Sequence, residues 1–166
     1  MRSAVLDTNV YISAAIGMAV DRSSIAVRLI EDELFQRRNF ESVTSIPILR
    51  ELEDVLNRDR FSFSADFIVR FLGHVEMSSK IVPIHNVPMG CRDPRDDKII
   101  ETALNADADV IVSRDQDLSD PRAVYGIAKT GIGIRRRPIR VVGVSAFLAE
   151  LRFGPRFSPL VLAVSA

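Results

Sequence analysis

The sequence predicts an α/β protein in which helices cover a mainly parallel sheet, and three observations support this class. Short apolar segments of strand length alternate along the chain with longer segments whose apolar residues recur every three or four positions. Polar residues that can cap a helix precede several of the longer segments. Strands that alternate with helices in this way are typical of parallel sheets.

Five segments have the composition of buried or half-buried strands. They cover residues 2 to 6, 40 to 44, 81 to 84, 109 to 113 and 140 to 144. Most of them are rich in Val and Ile, which favour the pleated backbone because their branched side chains pack well on it. We therefore expect five strands, most of them parallel.

Capping residues predict where the helices between these strands begin. Residues 21 to 24 precede an amphipathic segment that starts at Ile25, and Ser45 precedes a helix from residue 46 to about 57. Ser64 precedes another helix, which runs to about residue 78. Asp93 can cap a fourth helix, because Pro94 after it is well tolerated as a first helical residue.

Length and composition favour one domain. The 166 residues suffice for a single core, and we expect a domain over residues 1–151 with an apolar tail, residues 152–166, packed on it. No apolar run reaches the roughly 18 residues that a membrane span needs. Cys91 is the sole cysteine, and the chain opens directly into a strand rather than a signal peptide. A cytoplasmic location is the expectation.

Charge is distributed unevenly although the formal net charge is zero. Residues 1 to 120 carry 14 Lys and Arg against 21 Asp and Glu, a net of −7, and residues 121 to 166 carry 8 against 1, a net of +7. An acidic body beside a basic segment suits a metal site next to a surface for a polyanion. A chance distribution is the alternative.

Acidic residues follow two of the predicted strands. Asp7 comes directly after the first strand, and Asp115 and Asp117 follow the strand that ends near Ser113. Because the carboxyl ends of parallel strands meet at one edge of a sheet, these carboxylates are expected to lie together there. Like charges so placed repel, and a divalent cation would relieve the repulsion. Aspartates in ordinary turns are the alternative.

The acidic cluster at residues 93 to 101 divides by position. Asp93 and Asp96 are explained as a cap and as a first-turn acid that the helix dipole favours. Asp97 lies about 100° from the centre of the apolar stripe, so it can reach a cleft beside the sheet, whereas Glu101 is expected to point toward solvent. The stripe consists of Ile99, Ile100, Ala103 and Leu104.

The helix after Ser45 offers two candidate acids. Glu51 and Glu53 each lie about 100° from the centre of its apolar face, on opposite flanks. Periodicity does not choose between them. The apolar face consists of Ile48, Leu49, Leu52, Val55 and Leu56.

A set of carboxylates around one cleft predicts Mg²⁺ or Mn²⁺, which prefer oxygen ligands. Zinc is not indicated, because His74, His85 and Cys91 do not have the spacing of zinc ligands. The sequence also has no glycine-rich phosphate loop and no nucleophile elbow.

Five segments together resemble the motifs of PIN domains, in the order in which that family carries them. They are Val5-Leu6-Asp7-Thr8-Asn9-Val10, Leu49-Arg50-Glu51-Leu52, residues 91 to 104 around Asp93-Pro94-Arg95-Asp96-Asp97, residues 108 to 118 around Ser113-Arg114-Asp115, and Val144-Ser145-Ala146-Phe147-Leu148. Each motif alone is weakly specific, but the ordered set is strong.

The resemblance is greatest to the VapC-type toxins of bacterial toxin–antitoxin pairs. It implies a three-layer α/β/α fold and an endoribonuclease that depends on Mg²⁺ or Mn²⁺, cuts single-stranded RNA, is inhibited by a small antitoxin protein and often forms homodimers. It also selects Glu51, so that the implied catalytic and metal-binding residues are Asp7, Glu51, Asp97 and Asp115. Asn9, Ser113 and Asp117 would support these ligands.

Two segments depart from the family pattern. The segment after Asp117 is long and carries Arg135, Arg136 and Arg137, which are candidates for RNA binding. A solvated loop is the alternative. The apolar tail after Arg152 has no counterpart in the family, and it either completes the core or contacts a partner.

Three other functions are weighed against the toxin hypothesis. A PIN nuclease can serve in RNA processing, and a degenerate relative can bind RNA without cutting it. A haloacid-dehalogenase-like phosphatase also places an aspartate after its first strand, but that chemistry usually needs a second acid two residues later, where this chain has Asn9.

Overall fold

The sheet of the computed structural model has five strands, and every neighbouring pair of strands is parallel. The structure describes residues 1–115, 118 and 139–154. In chain order the strands are β1 (Ser3–Leu6), β2 (Glu41–Thr44), β3 (Ser79–Ile81), β4 (Val110–Val112) and β5 (Arg140–Val142). Their order across the sheet is β3-β2-β1-β4-β5, which places β1 in the centre. The predicted parallel α/β class is confirmed.

The described α-helices are α1 (Thr8–Ala19), α2 (Ile25–Val27), α3 (Ile46–Leu56), α4 (Ala65–Met77), α5 (Asp97–Asn105) and α6 (Val144–Phe153). Among them, α2, α3 and α4 begin directly after their predicted capping residues, α5 begins only after a 3₁₀ turn that follows Asp93, and the capping residues do not predict α1 or α6. A π-helical segment, Arg28–Gln36, continues α2. Short 3₁₀ turns cover Asp59–Phe61 and Pro94–Asp96.

Two apolar cores lie on opposite faces of the sheet, so the molecule has three layers. Leu6 and Val112 point into one core, where α1, α3, α4 and α6 contribute side chains such as Phe147. Val5 and Ile111 point into the other core against Ile99 and Ile100 of α5. This alternation is the period of two that strands impose, and it confirms the expected α/β/α arrangement.

Hydroxyl caps act at two of the three predicted positions. Ser24 Oγ accepts a hydrogen bond from the Val27 amide at 3.2 Å, and Ser64 Oγ accepts from the Phe67 amide at 3.2 Å. Ser45 precedes α3 but does not cap it through its side chain. Its buried hydroxyl instead accepts from Thr102 Oγ1 at 2.8 Å, which ties α3 to α5.

Two predictions were wrong in this part of the chain. The third strand is Ser79–Ile81 rather than residues 81 to 84, because Pro83 has no amide to continue the ladder after Val82. Glu101 was expected at the surface, yet it is only 2% exposed. Its carboxylate accepts hydrogen bonds from the amides of His85 and Val87, which anchors the segment that follows β3.

Several predicted features lie outside the described residues. They are Asp117, the run Arg135, Arg136 and Arg137, and most of the proposed tail, from residue 155 onward. The domain boundary at residue 151 therefore stays a prediction. Within the described part of the chain, no helix is long and apolar enough to span a membrane.

Candidate active site

The carboxyl edge of the sheet brings Asp7 and Ser113 together. The Asp7 amide donates to the Val112 carbonyl at 3.0 Å, and the Ser113 amide donates to the Val142 carbonyl at 3.0 Å. Both residues thus continue the strand ladder by one step before the chain leaves the sheet. Because β1 and β4 are parallel neighbours, their first residues beyond the strand meet side by side.

Asp7 is buried and tightly held. Its side chain caps α1 by accepting from the Asn9 amide at 3.4 Å. The Asn9 side-chain amide donates to Asp7 Oδ2 at 2.6 Å, and Ser113 Oγ donates to the same oxygen at 2.5 Å. Three donors therefore fix the carboxylate in one orientation.

Ser113 also connects Asp7 to Asp115. Its hydroxyl oxygen accepts from the Asp115 amide at 2.8 Å while its proton goes to Asp7. Asp115 itself is exposed at the rim. This turn explains why a hydroxyl residue two positions before an aspartate suits the end of β4: the hydroxyl positions both acids.

Glu51 reaches the same edge from α3. Thr8 Oγ1 donates to Glu51 Oε2 at 2.6 Å, and Lys98 Nζ lies 3.3 Å from that oxygen. Glu53, on the opposite flank of α3, is exposed. Periodicity places both acids at the same angle from the apolar face, and in the structure the contact with Thr8 distinguishes Glu51 from Glu53.

Asp96 and Asp97 have different surroundings. Asp97 begins α5, and its Oδ1 accepts from the Cys91 amide at 3.0 Å, which ties down the loop before the helix. Asp96 is half-buried and interacts electrostatically with Asp7 and Asp115. The structure therefore adds Asp96 to the acidic group, while it shows Asp97 holding a backbone amide.

Burial and repulsion raise the pKa of two acids at this edge, Asp7 and Asp96. Desolvation raises the pKa of Asp7, and the charges of Glu51 and Asp115 add to it, against the lowering effect of the bonds from Ser113 and Asn9. Burial, followed by the charges of Asp7 and Asp115, raises the pKa of Asp96 to about 6. Four acids, Asp7, Glu51, Asp96 and Asp115, thus form one repelling group, hereafter the acidic cluster.

One buried polar atom next to Asp7 is unsatisfied. Among the described residues, Asn9 Oδ1 is buried without a hydrogen-bond partner, although its Nδ2 is engaged by Asp7. A buried acceptor of this kind normally has a partner, so a ligand or its bound water is a natural one. Carboxylate and amide oxygens are the donors that Mg²⁺ and Mn²⁺ prefer, and the residue types of the cluster therefore fit such an ion.

The acids are close enough to repel but are not assembled as a finished coordination shell. Within residues 1–115, 118 and 139–154, no group of three His, Cys, Asp or Glu side chains has a geometry that could already hold a metal. Lys98 lies beside two of the acids: its ammonium group pairs with Glu51, and its charge opposes the rise in the pKa of Asp96.

Sequence reasoning missed Asp96, Thr8 and Lys98. It placed Asp96 in the first turn of an α-helix, whereas Pro94–Asp96 forms a 3₁₀ turn and the α-helix begins one residue later. At the end of this 3₁₀ turn, Asp96 interacts electrostatically with Asp7. Thr8 and Lys98 carry no periodic signal, so only the packing of α1 and α5 against α3 reveals them.

Comparison with known proteins agrees with this arrangement. A family model described as the PIN domain matches residues 3–117, well over half of the chain. The protein therefore belongs to the PIN-domain family, whose members are generally nucleases. No curated protein matches the chain, and no solved structure does either.

Proposed function

We propose that this PIN-domain protein is a metal-dependent endoribonuclease that cuts single-stranded RNA. The observation that carries the proposal is the acidic cluster at the carboxyl edge of the sheet, in which burial and repulsion raise the pKa of Asp7 and Asp96. Structural carboxylates are normally neutralised by their neighbours, so a raised pKa at two acids of one cluster points to a cationic ligand.

Mg²⁺ or Mn²⁺ is the proposed cofactor, held by Asp7, Glu51 and Asp115. Asp97, which the family motif selects, and Asp96, which interacts electrostatically with Asp7 and Asp115, are the two candidates for the fourth position. When bound, such an ion lowers the pKa of a bound water and offsets charge on phosphodiester oxygens. Nucleic-acid phosphates would otherwise be repelled by the cluster.

The protein's own groups orient the proposed ligands. Ser113 and Asn9 hold both the position and the ionised form of Asp7, because each donates a hydrogen bond to its carboxylate. Thr8 holds Glu51 in the same way from the first turn of α1. We propose these hydroxyl and amide groups as positioning residues, and Asn9 Oδ1 as the acceptor for a proton of a bound water.

The central experiment measures cleavage of a labelled single-stranded RNA. Cleavage should require Mg²⁺ or Mn²⁺, stop with EDTA and return with excess metal. Added Mn²⁺ should also raise the melting temperature, since a ligand of the native state stabilises it. Full cleavage after exhaustive chelation would contradict the proposal, and release of inorganic phosphate from small phosphoesters would favour a phosphatase instead.

A pair of variants tests whether the cluster is the active site. Asp7→Asn keeps the size of the side chain and should reduce cleavage by about 10²- to 10³-fold, since it removes a charge at the centre of the cluster. Glu53→Gln is the matched control, because Glu53 is an exposed acid on the same helix as Glu51. Equal activity in the two variants would show that the cluster does not cut RNA.

For the biological role we propose the toxin of a toxin–antitoxin pair, acting in the cytoplasm and inhibited by a small antitoxin, with a homodimer as the assembly. The resemblance of the ordered motifs supports this role. Expression of the chain alone should arrest growth, Asp7→Asn should relieve the arrest, and co-expression of the neighbouring small reading frame should do the same. Normal growth under expression of an active nuclease would favour a role in RNA processing.

A further inference from the structure

A groove runs away from the acidic cluster on the side of Asp115. It consists of two adjoining cavities of about 360 and 400 Å³. The first is lined by Ser113 and Asp115, so it opens onto the cluster itself. Ile25, Arg114 and Val144 line both cavities and make the groove continuous, and Arg22 lies in the second, farther from the cluster.

The two arginines of the groove lack carboxylate partners within the described residues. Arg114 donates to the neutral hydroxyl of Ser13 at 3.0 Å, and no ion pair of Arg22 is present there. Some other exposed arginines do have carboxylate partners: Arg95 pairs with Asp93 and Arg70 pairs with Asp66. The groove therefore carries two guanidinium groups that form no ion pair within the described residues.

Both arginines are attached to rigid parts of the fold. Ser13, which accepts from Arg114, itself donates to the Asn9 carbonyl at 2.8 Å, so Arg114 is tied to the first turns of α1. The Arg22 amide donates to the Gly17 carbonyl at 2.8 Å. A Cβ at Gly17 would lie 2.5 Å from a Val27 methyl carbon and 3.0 Å from the Arg22 carbonyl oxygen, so this approach requires glycine.

The groove also has an apolar wall. Ile16 and Ile25 line it and remain 43% and 48% exposed, although both are large aliphatic residues. A nucleobase presents an apolar face between charged phosphates, and covering an exposed isoleucine with it removes apolar surface from water. Positive charge beside apolar surface is the combination that single-stranded nucleic acids need.

We propose that this groove binds the RNA strand next to the bond that is cut, with Arg114 and Arg22 on backbone phosphates and Ile25 against a base. The inference rests on the proposed nuclease function and specifies its substrate track. It places the chain of the RNA on the Asp115 side of the cluster, along α1 and the start of α2 and α6.

The test measures RNA affinity and its salt dependence in the full chain carrying Asp7→Asn, so that the strand stays intact. Adding Arg22→Ala and Arg114→Ala should weaken binding roughly tenfold at low salt and flatten the salt slope by about 1.4, because each single-strand phosphate contact contributes about 0.7. Ile25→Ser should weaken binding at every salt concentration and leave the slope unchanged.

The matched control removes the same charge from two arginines that line neither cavity of the groove. Arg38 and Arg58 are exposed, one before β2 and the other after α3, and their replacement by alanine should leave the slope nearly unchanged. If wild-type protein cuts RNA and the Arg22/Arg114 variant binds it as tightly as the control, the groove proposal is overturned. The same result is expected of a groove that serves only a protein partner. Failure of the wild-type protein to bind or cut RNA would instead overturn the proposed function.

Discussion

The amino and carboxyl edges of the sheet give a buried carboxylate opposite electrostatic surroundings. At the amino edge, Glu150 of α6 has a side chain only 1% exposed and forms ion pairs with Arg2 and with both terminal nitrogens of Arg140, the latter at 2.9 Å. These partners, Arg140 first, lower the pKa of Glu150. At the carboxyl edge, Asp7 is 6% exposed, and burial first, followed by the charges of Glu51 and Asp115, raises its pKa.

This difference distinguishes a carboxylate that is buried for stability from one that is buried in a candidate active site. Glu150 has its own counter-charges, and Glu33 likewise has Arg37 and Asn39. A carboxylate buried for stability is therefore satisfied within the protein, as the cost of burying an unpaired charge requires. The acidic cluster is satisfied only in part, by Lys98 and by hydroxyl and amide donors, which leaves room for an external cation.

The largest effect should come from the choice between Asp96 and Asp97. We expect Asp96→Asn to reduce RNA cleavage by about 10²-fold, since Asp96 is coupled to Asp7 and Asp115. Asp97→Asn should cost less, because an asparagine oxygen can still accept from the Cys91 amide. Single-turnover cleavage rates at saturating Mn²⁺ would measure both losses. A larger loss in Asp97→Asn than in Asp96→Asn would favour Asp97 as the fourth ligand.

The amino edge should respond to mutation through stability instead. Glu150→Gln leaves two guanidinium groups without their carboxylate and should lower the free energy of unfolding by about 3 kcal/mol. Asp66→Asn, which breaks the exposed pair with Arg70, should change it by less than about 0.5 kcal/mol. Urea unfolding of metal-free protein would measure both, and Asp7→Asn under the same conditions should stabilise. If Asp7→Asn lowered the free energy of unfolding, the proposed difference between the two edges would be contradicted.

Lys98 is a cation within the acidic cluster, so removing its charge tests how metal binding at the carboxyl edge depends on an internal counter-charge. It is the internal cation closest to Glu51, so Lys98→Gln should let Mn²⁺ bind about tenfold more tightly by removing a positive charge near the ion. Lys80→Gln, at an exposed position of β3, is the control. Titration calorimetry with Mn²⁺ measures the change without RNA. Weaker binding in Lys98→Gln would mean that Lys98 mainly positions Glu51.

The smallest effect should be an opposite response of the two edges to pH in metal-free protein. The pKa of Asp96 rises from 3.8 to about 6 on folding, so its favourable contribution is complete below pH 4 and is lost as pH rises toward 6. The pKa of Glu150 is lowered from 4.5, so its contribution is present above that value and is lost in acid.

Melting temperatures across pH 4 to 7 would check this response. Asp96→Asn should gain stability over wild-type protein as pH rises through the window from about 4 to about 6. The deficit of Glu150→Gln should shrink only below pH 4.5. Parallel profiles for both variants would show that the edges do not differ electrostatically.

The sequence by itself determined the parallel sheet, the helices that begin at Ile25, Ile46 and Ala65, and part of the acidic edge. Strand composition and capping residues predicted the elements because these signals are local, and parallel order placed Asp7 and Ser113 at one edge. Local signals also misled: Glu101 has the helical angle of a surface residue, yet amides from a distant loop bury it.

Only the tertiary structure decided which acids share an environment. Glu51 and Glu53 are equivalent by helical angle, and the contact with Thr8 of α1 distinguishes them. Asp96 ends a 3₁₀ turn instead of lying in the first turn of the α-helix, and it interacts electrostatically with Asp7 and Asp115. Repulsion and desolvation depend on distances of a few ångströms between elements far apart in sequence, and periodicity carries no such distances.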